Sequence, residues 1–79
     1  MLGQTQIKQN IGLRLKEARE KAGFATPGDF CKQFNIAEDT YLEYESGERA
    51  LKATTAMEYS KLLNVSMQWL LLGEELENK

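Results

Sequence analysis

Five carboxylates (Glu38, Asp39, Glu43, Glu45 and Glu48) lie between Phe34 and Glu48 with no basic residue among them, and Arg49 and Lys52 follow closely. Thr40 and Ser46 add hydroxyls to the same stretch. Carboxylates accept hydrogen bonds, bind metals or move protons. For the last two uses the commonest partners are missing. There is no histidine and only one cysteine, so neither a nucleophile–base pair nor a metal cluster can be assembled. The chain therefore reads as non-enzymatic, without metal or cofactor. The chemistry that remains is recognition, by acceptor groups flanked by cations.

The elements around these residues are helical. Few residues alternate with period two, and apolar side chains recur at steps of three and four instead. Ile7, Ile11, Leu15, Ala18 and Ala22 make one stripe from about Gln6 to Lys21, closed by Gly23. Thr26-Pro27-Gly28-Asp29 is a helix start, with Thr26 as cap, Pro27 in the first turn and Asp29 at the capping-box position. That helix turns Phe30, Cys31 and Phe34 inward, and Asn35 tolerates the left-handed turn that follows. A third helix is predicted from about Ala37 to Ser46, with Ala37, Tyr41 and Tyr44 inward and Gly47 closing it. After a loop over Glu48 to Lys52, a fourth helix runs from about Ala53 to Leu63, with Ala56, Tyr59, Ser60 and Leu63 on one face. Ser66 caps a short last helix, Met67 to Leu72, stopped by Gly73. The second and third of these have the layout of a helix-turn-helix, whose second helix is carried outward to a DNA groove.

Length and composition agree with one small domain. Seventy-nine residues leave room for one modest core. No apolar run approaches the roughly 18 residues of a membrane span, and the uncharged start Met1 to Gln6 is unlike a signal peptide. A single cysteine suits a reducing cytoplasm. Net charge is -2, so any attraction to nucleic acid must come from distribution. Lys8, Arg14, Lys16, Arg19 and Lys21 cluster early, whereas Glu74, Glu75 and Glu77 end the chain.

The order of elements resembles the phage-repressor/Cro-type helix-turn-helix family, often called XRE, over about Ile11 to Gly73. The residues that carry the resemblance are Ile11 to Gly23, Glu45-Ser46-Gly47, Leu63 to Ser66 and Trp69 to Gly73. It implies an all-α, compact five-helix repressor-like domain; the domain is expected over residues 1–73, and the acidic chain end over 74–79 is expected to fray. It also implies that Arg19 and Glu45 form a structural pair tying the first helix to the third. Cys31 stands where the family usually has alanine, and Asn35 where it usually has glycine. The loop Phe24-Ala25-Thr26-Pro27 is about one residue longer than the common pattern. Thr26 replaces the glutamine that often touches phosphate there.

In this resemblance the groove-facing positions are Ala37, Glu38, Asp39, Leu42, Glu43 and Ser46. Base reading would then fall to Glu38, Asp39, Leu42, Glu43 and Ser46. A carboxylate accepts from cytosine N4, leucine touches a thymine methyl, and a hydroxyl serves either edge or a phosphate. Each carboxylate also repels a duplex carrying one charge per about 1.7 Å. Thr26, Thr40, Arg49, Lys52 and Arg14 are the phosphate candidates, with Lys16 and Lys8 behind them. Met67, Leu71 and Leu72 crowd apolar surface into one short helix, which suggests a homodimer contact. The resulting function is a sequence-specific regulator of double-stranded DNA, a repressor of phage or bacterial type. The acidic third helix keeps a second reading open: an antitoxin-like or anti-repressor module that uses the same scaffold to bind protein.

Overall fold

The computed structural model describes residues 3–74. Five helices follow in order: α1 (Gln4–Lys21), α2 (Pro27–Phe34), α3 (Glu38–Ser46), α4 (Ala53–Leu63) and α5 (Met67–Leu72). There is no strand among the described residues. The tail expected over 74–79 falls outside them except for Glu74, which is exposed.

Local chemistry sets the helix ends. Thr26 Oγ1 accepts from the Asp29 N–H at 3.1 Å, and Pro27 occupies the first turn of α2, where its missing N–H removes nothing. Ser66 Oγ does the same for α5, accepting from the Trp69 N–H at 3.0 Å. Two helices stop by one device. Asn35 (φ 57°) and Asn64 (φ 60°) turn left-handed, and the next N–H bonds back, Ile36 to Cys31 O at 2.8 Å and Val65 to Ser60 O at 3.0 Å. Asparagine tolerates that conformation better than most side chains.

The core centres on Phe30. Its ring meets Phe24, Phe34, Tyr41 and Tyr59 at centroid distances of 5.1–5.9 Å, mostly edge to face. Leu15, Phe30, Tyr41 and Leu70 are fully buried. Each side chain of this size contributes roughly 1.5–3 kcal/mol through burial.

Three expected inward positions lie outside. Ile7 is 42% exposed, and Ala22 and Ala37 are also exposed. Ala22 and Ala37 are cap residues, past the periodicity of their helices. Ile7 belongs to the first turns of α1, before the stretch that carries its buried residues Gly12, Leu15, Ala18 and Arg19. The closest approach in the fold falls on Gly12. A Cβ there would stand 2.7 Å from Tyr44 O and closer still to Glu45 O, so α1 lies directly on the backbone of α3.

Candidate nucleic-acid interface

Helix α3 is held rigidly from its inner side. Tyr41 and Tyr44 are buried in the core, and Gly47 (φ 86°) ends the helix against α1, where a Cβ would meet Gln9 Cγ at 2.8 Å. Arg19 is the second anchor. Its Nε donates to Glu45 Oε2 at 2.7 Å and its Nη1 to Phe24 O at 2.7 Å, with the side chain only 3% exposed. Burial by itself would lower the Arg19 pKa, but the hydrogen bond and charge of Glu45 outweigh it, and the net shift is upward. One of the five carboxylates in this stretch is thereby neutralised inside the protein.

Tyr41 Oη lies beside this pair, buried and without a hydrogen-bond partner among the described residues. Burial, then the neighbouring Glu45 carboxylate, pushes its pKa far up. Burial also lifts the Cys31 thiol, to about 11, so the thiol is an inert packing group.

Outside this anchor, α3 shows solvent a short face. Leu42 is 41% exposed, Asp39 and Ser46 are exposed, and Thr40 and Glu43 are half-buried. The Glu38 carboxylate leans toward the start of α2, where a methyl built on Gly28 would touch Oε2 at 3.4 Å. Negative charge is favourable beside that positive helix end. Ser46 Oγ donates to Glu43 O at 3.1 Å and accepts from the Glu48 N–H at 3.3 Å, so this hydroxyl helps close the helix. Thr26 Oγ1 caps α2 and stays exposed.

The cations differ from the expected set. Arg49 and Lys52 are exposed just beyond α3. Arg49 pairs with Glu43, its Nε 2.7 Å and its Nη2 2.6 Å from Oε1, and this bond raises its pKa. A proposed base reader and a proposed phosphate contact thus hold each other. Arg14 is engaged within the fold. Sequence reading puts it among the phosphate contacts, but its Nε donates to Leu70 O at 2.9 Å and its Nη2 to Leu71 O at 3.2 Å. The last carbonyls of a helix lack partners within it, and a long side chain from α1 reaches those of α5.

The apolar end is also rearranged. Met67 is half-buried and packs against the core, whereas Leu72 is 66% exposed. Leu71 and Leu72 share a shallow depression with Ile7, Asn10 and Arg14. Ile7 therefore joins the surface that sequence reading assigned to Met67, Leu71 and Leu72. Gly12 and Arg14 were the structural roles that periodicity missed, since both depend on a neighbour distant in sequence.

A small helical domain that offers one short outward helix on a rigid support is a helix-turn-helix domain. The family model described as helix-turn-helix matches residues 15–70, and the chain belongs to that family. It is also 37% identical over 70 residues to the HTH-type transcriptional regulator ImmR of Bacillus subtilis (strain 168). That match takes in 89% of this chain and 54% of the relative, so the chain spans about half the relative's length. No described helix is long and apolar enough to cross a membrane.

Proposed function

We propose that this chain is a sequence-specific DNA-binding transcriptional regulator, of repressor type, acting as a homodimer in the cytoplasm. One observation carries the reading: α3, the second helix of a matched helix-turn-helix, presents Leu42, Glu43 and Ser46 outward with Arg49 and Lys52 at its far end. That combination suits a helix in the major groove with cations at the flanking phosphates. The relative's description as a transcriptional regulator supports the same conclusion. Pairing through the Ile7, Leu71 and Leu72 surface would double the contacts and give the site two-fold symmetry.

The acidic surface favours a second reading. Glu38, Asp39 and Glu48 have no ion pair among the described residues, which fits a helix that meets a protein partner. Selection from a randomised duplex pool at about 50 mM salt separates the two, because phosphate-driven affinity falls steeply as salt rises. An enriched two-fold motif with half-sites about one helical turn apart supports the regulator. No enrichment at that salt overturns it in favour of the protein-binding module.

A further inference from the structure

Residue 49 is docked on residue 43 twice over. Glu43 O accepts from the N–H groups of Glu48 at 3.0 Å and Arg49 at 3.2 Å, and from Ser46 Oγ at 3.1 Å. The Arg49 guanidinium then returns to the Glu43 carboxylate, with both of its short contacts on the same oxygen, Oε1. Oε2 of Glu43 and Nη1 of Arg49 make no hydrogen bond among the described residues. Both side chains remain substantially open to solvent, 40% and 51%. An exposed ion pair of this kind adds little to stability. Its consequence is electrostatic and geometric: the carboxylate carries its own cation, and one acceptor, Glu43 Oε2, and one donor, Arg49 Nη1 on the side of the guanidinium away from the carboxylate, stay unused.

We infer that Glu43 and Arg49 form a single neutral reading unit that recognises a cytosine–guanine base pair. The inference rests on the reading that α3 enters the major groove. In that groove cytosine N4 is a donor that a carboxylate accepts, and guanine O6 on the same pair is an acceptor for guanidinium. Glu43 Oε2 takes the first and Arg49 Nη1 the second, which gives Arg49 a base in place of the phosphate proposed above and leaves the backbone contact to Lys52. The arrangement also answers the objection to an acidic reading helix, since a paired carboxylate brings no net charge to the phosphates. Fixing the arginine through main chain and side chain together reduces the ordering that binding would otherwise require.

The test is duplex-pool selection and anisotropy on the wild-type chain, Glu43→Gln, Arg49→Ala and the double variant, with melting curves to verify folding. Wild type should select cytosine–guanine at one position of each half-site. Glu43→Gln should move that column alone toward adenine, which glutamine reads, with a change of about tenfold in preference. Arg49→Ala should weaken all sites, because it leaves a bare carboxylate facing the duplex. Adding Glu43→Gln to it should restore affinity about tenfold, a non-additive result for two coupled residues. Wild-type selection with an unchanged motif in Glu43→Gln, or strictly independent effects of the two changes, overturns the unit and leaves the regulator standing. A wild-type chain that selects no motif overturns the regulator itself, and the unit with it.

Discussion

Arg19 Nε lies 2.7 Å from Glu45 Oε2, and the two side chains are 3% and 10% exposed. This pair joins the helix that carries more basic residues than any other to the one that carries more acidic residues than any other. Replacing Arg19 by alanine would leave Glu45 buried and uncompensated and Phe24 O without its donor. Breaking a buried pair in this way costs about 3 kcal/mol or more. Urea unfolding of Arg19→Ala should show that loss, and Arg19→Met with Glu45→Leu should recover much of it, since an apolar pair needs no desolvation.

Gly12→Ala should also be strongly destabilising, by about 2–3 kcal/mol. Helix propensity argues the reverse, favouring alanine by about 1 kcal/mol. The sign is decided by Tyr44 O and Glu45 O, which are backbone atoms and cannot rotate away from a new methyl group. Gly28→Ala is the matched control. Its methyl would touch only the end of the Glu38 side chain at 3.4 Å, so thermal unfolding should change by less than about 0.5 kcal/mol.

Arg14 and Lys52 should separate cleanly. Arg14→Ala frees the carbonyls of Leu70 and Leu71, and should cost about 1–2 kcal/mol. Hydrogen exchange should then quicken in α5 while the salt slope of DNA binding stays unchanged. Lys52→Ala should leave exchange alone and reduce that slope by about 1 per bound protomer. If Arg14→Ala alters the slope and Lys52→Ala does not, the two roles have been assigned the wrong way round.

Alkaline pH should unfold the domain through its buried phenols and thiol. Cys31 is raised from 9.0 to about 11, and Tyr59 from 10.0 to about 12, in both cases chiefly by burial. In the unfolded chain these groups lose their protons first, so ionisation favours unfolding. Their contribution is therefore complete below pH 9.0 and disappears as pH rises through about 12. Urea midpoints should be flat near neutrality and fall across that window. Cys31→Ala should remove the early part of the fall, and tyrosinate absorbance should follow the rest.

Leu72→Glu should test the apolar end. At 66% exposure the change should be nearly neutral for folding of the protomer. If Leu71, Leu72 and Ile7 meet a second copy, sedimentation should show the dimer weakened and the affinity for a two-fold site reduced with it.

The sequence by itself determined the five helices and the residues that stop them. Thr26, Asn35, Gly47, Asn64, Ser66 and Gly73 act on backbone groups within a few positions of themselves, so their effect is written locally. It also determined the inward faces of α2 and α4, where short helices packed on one side keep a single buried stripe. Resemblance to a known order of elements then supplied the outward position of α3. Periodicity alone misplaced Ile7, which sits on the part of α1 that precedes its buried stretch. Tertiary structure decided the charged residues. Arg14, Arg19 and Arg49 are alike in sequence, yet one holds the end of α5, one is buried against Glu45, and one stands exposed on Glu43. The physical reason is reach: a guanidinium goes to whichever acceptors the fold brings near, and Leu70 O and Glu45 Oε2 come near only once α1 has packed against α5 and α3.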